Sequence, residues 1–113
     1  MDSGGHYLIR LVQQKRDGIW TAEYPELLGC HVVGHDPVQA AIDLQATRDE
    51  WIRRARDRGA AIPIPGPNWQ YHLILDTDHT PDDRMLAEQA IEAARQTWSE
   101  GDTTFLTAVE EAA

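Results

Sequence analysis

The residues best suited to chemistry are gathered in Leu73-Ile74-Leu75-Asp76-Thr77-Asp78-His79-Thr80, an apolar run ending in two spaced carboxylates. Asp-x-Asp-x-Thr after a strand offers two neighbouring carboxylates of the kind that phosphoryl transfer uses for nucleophilic and acid/base work. That chemistry also needs a lysine for the phosphoryl charge and further carboxylates for magnesium, on a large doubly wound sheet. The chain has one lysine, Lys15, and no succession of parallel strands. The stretch fails equally as a calcium-binding loop, because Pro81 stands where glycine is required and Ala87 where the bidentate glutamate belongs. It reads as a polar connection between a strand and a helix.

Cys30, His31 and His35 are the residues that could hold a metal. On a strand, Cys30 and His31 point to opposite faces, and His31 and His35 lie roughly 13 Å apart at ~3.3 Å per residue. Zinc ligands must all sit about 2 Å from one ion, so a structural cysteine with surface histidines is the better reading. Arg53, Arg54, Arg56 and Arg58 complement the negative end of a helix, and Asp57 among them weakens a phosphate-binding reading. Trp20, Trp51 and Trp98 fall on apolar stripes and read as core, whereas Trp69 lies beside prolines. No serine or cysteine has the setting of a nucleophile, and nothing calls for a metal or a cofactor. A non-catalytic protein is expected.

The elements that must carry these residues follow from pattern. Tyr7, Ile9 and Leu11 alternate along a first strand, Tyr7–Gln13, and Asp17-Gly18 then signals a tight hairpin into Ile19–Tyr24. Tyr24-Pro25-Glu26-Leu27-Leu28-Gly29-Cys30 is a corner: Pro25 ends the pairing and Gly29 gives the turn its dihedral freedom. Cys30–Gly34 is a third strand. Asp36-Pro37-Val38-Gln39 opens a helix by capping, with Gln39 able to close a capping box, and Gly59 ends it after Arg58. Ala40, Ala41, Leu44, Trp51 and Ala55 make its apolar stripe, widened by Val38, Ile42 and Ile52. The prolines of 62–67 form an extended connector. Trp69–Leu75 is a fourth strand, apolar enough for the sheet interior, and parallel as a crossover requires. Thr80-Pro81 starts a second helix with a narrow stripe of Ala87, Ile91, Ala94 and Trp98, suited to self-association as a homodimer or higher oligomer. A last short helix over 102–112 would hold Phe105, Leu106 and Val109.

The expected fold is α+β in the order β-β-β-α-β-α: an antiparallel three-stranded meander, a crossover helix, a fourth parallel strand and a C-terminal helix. Residues 1–75 form the main domain and residues 76–113 an acidic helical extension. Of the net charge of −9 little falls on the first part, which has nine acidic against eight basic residues; the second has ten against two. Such a tail is repelled by nucleic acid and attracted to basic proteins. No apolar run approaches the ~20 residues of a membrane helix. The N-terminus has no basic region followed by an apolar core, and one cysteine excludes an internal disulfide. A cytoplasmic protein is expected.

Together these landmarks resemble the HicB-like antitoxin family. Tyr7-Leu8-Ile9, Asp17-Gly18-Ile19-Trp20-Thr21-Ala22, Tyr24-Pro25-Glu26-Leu27-Leu28-Gly29-Cys30, Gly34, the capped helix with Trp51, Arg58-Gly59 and Ile62-Pro63-Ile64-Pro65 come in that family's order. Leu28 stands where the family usually has proline. The resemblance implies a partial RNase H-like fold without nuclease activity. It also implies a type II toxin–antitoxin role: binding and neutralising a small basic HicA-type ribonuclease toxin that cleaves mRNA. The corner residues Glu23, Tyr24, Glu26, Leu27 and Leu28 are the expected partner interface. The alternatives are a DNA-binding autorepressor of its own operon, against which the acidic tail argues, and a stand-alone HicB-like binding module.

Overall fold

The computed structural model describes residues 6–99. The expected helix over 102–112 lies outside the described residues. The order is β1 (Ile9–Gln14), β2 (Ile19–Glu23), β3 (His31–Gly34), α1 (Pro37–Arg58), β4 (Tyr71–Ile74) and α2 (Pro81–Ser99). The chain is α+β, with one four-stranded mixed sheet of strand order β3-β2-β1-β4.

The meander follows from alternation. Ile9, Leu11 and Gln13 on β1 and Trp20 and Ala22 on β2 point to the helix side and are buried, while their neighbours point away. The β1–β2 turn is closed by Asp17 N–H to Gln14 O at 3.1 Å and Gly18 N–H to Lys15 O at 3.1 Å. Gly18 takes φ +67°, the left-handed conformation this turn needs. β2 pairs antiparallel with β3, Glu23 opposite His31 and Trp20 opposite Gly34. β4 runs parallel to β1, Ile9 beside Tyr71 and Val12 beside Ile74.

α1 is the crossover from β3 at one edge to β4 at the other. Asp36 caps it, its Oδ1 accepting from Val38 N–H at 3.0 Å and Gln39 N–H at 3.4 Å. The reciprocal half of the expected capping box is missing, because the Gln39 amide donates to Asp43 Oδ1 at 2.9 Å instead. Gly59 ends the helix at φ 71°. α1 packs on β2 and β3 with one flank and on α2 with the other. Small residues allow this: Ala40, Ala41, Ala87, Ala90 and Ala94 are all buried in one core with Leu44 and Ile52.

Two expectations are corrected. β4 is an edge strand, not an interior one: Tyr71 is 50% and Ile74 39% exposed. The helices lie chiefly over β2, β3 and each other, so of its apolar run only Leu73 and Leu75 reach the core. The α2 stripe is not open to another chain either, since Ala87, Ile91 and Ala94 are buried in the core α2 shares with α1. The Trp98 side chain lies outside the described residues.

Candidate functional site at the Tyr24–Cys30 corner

β2 delivers Glu23 to the open side of the sheet and Tyr24 to the core. Beyond them the chain makes two consecutive turns: Leu27 N–H donates to Tyr24 O and Cys30 N–H to Leu27 O, each at 2.9 Å. Tyr24 N–H donates to Cys30 O at 3.1 Å and closes the loop at its neck. Gly29 sits at φ +85°, where a side chain would strain the backbone. These bonds turn Leu27 inward to full burial and leave Leu28 88% exposed at the tip.

The loop is also tied from both flanks. Trp51, half-buried on α1, donates its indole N–H to Leu28 O at 2.9 Å. Glu26 Oε1 accepts Leu8 N–H at 3.0 Å. A cleft of about 200 Å³ between tip and helix is lined by Cys30, Thr47, Glu50, Trp51, Arg54 and Arg58. A second, of about 230 Å³ on the sheet side, is lined by Arg10, Glu23, Leu27, Leu28 and His31. Arg10 Nε and Glu23 Oε2 pair there at 3.2 Å. The corner therefore presents one exposed apolar side chain, on a backbone tied in place, between two open clefts of mixed polarity.

Its rear wall is a buried polar network that the sequence reading missed. The Tyr24 hydroxyl donates to Gln45 Oε1 at 2.8 Å, and Arg48 Nη1 donates to the same oxygen at 2.9 Å. Gln45 Nε2 donates to Ala41 O at 3.0 Å, and Arg48 Nη2 meets Asp49 Oδ1 at 2.9 Å. Arg48 is 1% exposed. Burial pushes the Tyr24 hydroxyl up to about 12, with Arg48 opposing. Burial likewise pushes the Tyr7 hydroxyl up to about 12 and the Cys30 thiol up to about 11. Both stay protonated at neutral pH, so Cys30 is not a poised nucleophile. The signal for Arg48 was its spacing: it falls one heptad after Ala41 and four residues before Ile52, on the buried stripe.

Of the five expected interface residues, the structure brings Glu23, Glu26 and Leu28 to the surface. Tyr24 and Leu27 are core, which corrects their assignment to a contact surface: the alternation that buries Trp20 and Ala22 continues through Tyr24, and the first turn folds Leu27 beneath it.

The other candidates have structural partners. Asp76 Oδ2 accepts Lys15 N–H, Asp76 N–H donates to Gln13 Oε1 at 3.1 Å, and Asp76 O meets His79 Nδ1 at 2.7 Å. Lys15 Nζ donates to Asp78 O at 2.7 Å and pairs with Asp83 at 3.2 Å. The aspartate loop thus lashes the start of α2 to the β1–β2 hairpin. His35 Nδ1 meets Gly18 O at 2.8 Å, away from buried Cys30. Among the described residues no three His, Cys, Asp or Glu side chains converge to hold a metal ion. Arg53 and Arg54 share Glu50 at 2.6 and 2.8 Å. Trp69 stacks edge-on against His6 at 5.6 Å. No described helix is long and apolar enough to cross a membrane. Compared with protein-family models, with curated proteins and with solved structures, the chain matches none.

Proposed function

We propose that the chain is a non-catalytic, HicB-like antitoxin with a partial RNase H-like sheet, acting in the cytoplasm. It binds a small basic HicA-type ribonuclease toxin and covers the surface that cleaves mRNA. The observation that carries this reading is the corner: Leu28 is 88% exposed while its own carbonyl is held by Trp51 at 2.9 Å. An apolar side chain on an already ordered loop binds without the entropy cost of ordering that loop, which is how interface anchors work. Glu23 and Glu26 beside it are suited to basic side chains, and the net charge of −9 steers a basic partner towards the chain.

The test is co-expression with the product of a short basic reading frame beside its gene. The expected result is a stable complex in which mRNA cleavage is blocked and which Leu28→Asp disrupts. Undiminished inhibition by Leu28→Asp with Glu23→Lys would remove the corner from the interface. Cleavage unaffected by the wild-type chain would overturn the antitoxin reading.

A further inference from the structure

We infer that the β4 edge of the sheet is a self-association surface, on which a second copy of this chain adds its own β4 antiparallel about a two-fold axis. The hydrogen bond from Ile9 N–H to Gln70 O at 3.3 Å fixes which backbone groups face β1 and which face away from it. Backbone groups alternate in direction along a strand, so Gln70, His72 and Ile74 face β1, while Tyr71 and Leu73 aim their N–H and C=O outwards. β4 has no lysine, no proline and no bulge, the usual means by which an edge strand is kept from pairing. Tyr71 and Ile74 already expose apolar surface there.

What identifies the occupant is charge. Residues 59–75 contain no Asp, Glu, Lys or Arg, in a chain of net charge −9. Among the described residues this segment runs along the β4 side of the sheet: Gly66 bridges His6, Tyr7 donates its hydroxyl hydrogen to Pro63 O at 2.7 Å, and Tyr71–Ile74 line β1. Two identical acidic chains repel least where neither carries charge. The segment is also self-complementary. With Leu73 opposite its own copy, Tyr71 lies beside Leu75 and His72 beside Ile74, so Tyr71, Leu73 and Leu75 meet apolar partners across the axis while His72 meets Ile74. The product is a continuous eight-stranded sheet, and the inference does not depend on the antitoxin reading.

The experiment is a mass measurement by light scattering on the full chain across the micromolar range. The expected result is a dimer of twice 12.7 kDa for the wild type, a monomer for Tyr71→Lys, and an unchanged dimer for Val33→Lys on the opposite edge. A wild type that stays monomeric, or a Tyr71→Lys variant that stays dimeric, overturns the inference. So does loss of the dimer in Val33→Lys. Should Tyr71→Lys fail to fold, hydrogen exchange on the wild type decides. Protection of the Tyr71 and Leu73 amides must rise with protein concentration, and protection independent of concentration overturns the inference.

Discussion

The Tyr24 hydroxyl and the Gln45 side-chain carbonyl, both buried, meet at 2.8 Å and join the neck of the corner to the middle of α1. Arg48 donates to the same oxygen, so two donors, one from the corner and one from α1, share one acceptor in the core. Buried polar groups of this kind fix geometry more than they add stability.

Arg48 therefore separates two effects. Arg48→Ala leaves a cavity and takes a donor from Gln45, and should cost about 2–4 kcal/mol in urea unfolding. Arg48→Met keeps most of the volume without a buried charge and should fall within about 1 kcal/mol of wild type. A mild effect of the alanine would mean that the network does not support the corner.

The two leucines at the tip should behave in opposite ways. Leu28→Ala should leave stability within about 0.5 kcal/mol of wild type, because the side chain is exposed. Leu27→Ala should cost about 2–5 kcal/mol, since Leu27 is fully buried. Trp51→Phe, which loses the bond to Leu28 O, should cost about 1 kcal/mol and weaken any binding through the tip. Thermal melts beside a partner titration would expose any departure from this division.

Alkaline stability has a definite sign. Tyr24 and Tyr7 are raised from 10.0 to about 12 and Cys30 from 9.0 to about 11, all chiefly by burial. The unfolded chain loses these protons first. Their contribution is fully present below pH 9 and disappears as pH rises through about 11 to 12. A circular-dichroism titration should show the fold holding to about pH 9 and failing above it. Tyr24→Phe should flatten the decline.

At the acid end the sensitive group is Asp83. Its Oδ2 accepts Thr80 N–H at 2.9 Å while Thr80 Oγ1 accepts Asp83 N–H at 3.1 Å, a capping box for α2. That backbone bond, with help from Gln13 and Lys15, lowers Asp83 from 3.8 to about 2. The contribution is present above pH 3.8 and is lost as pH falls through about 2. α2 should loosen over that range, and Thr80→Ala should cost about 1 kcal/mol at neutral pH. Equal acid sensitivity in Asp83→Asn and wild type would assign the loss to other groups.

Much of the fold was legible because its signals were local. Asp36-Pro37 and Gly59 bound α1 at the residues expected, and the strand alternation placed Trp20 and Ala22 inside. The misreadings were of context. An apolar strand such as Tyr71–Ile74 reads the same whether it is flanked by strands or lies at an edge, because the neighbours are decided elsewhere in the chain. The α2 stripe read as an interface because nothing in it says whether α1 or another chain will cover it. At the corner, composition could not separate Leu27 from Leu28; one backbone turn does. Arg48 was overlooked because its charge outweighed its place in the periodicity.

The pairing of β1 with β4 has a consequence for biosynthesis. Ile9 is made well before Ile74, and the strand that flanks it cannot form until Ile74 has been made. Until then the nascent meander is open on both sides, with Ile9 and Leu11 not yet covered by α2. Contacts so distant along the chain form slowly, and an open apolar edge is what chaperones bind and what aggregates grow from. A chain that stops before β4 would therefore expose the β1 edge and leave Ile9 and Leu11 uncovered by α2.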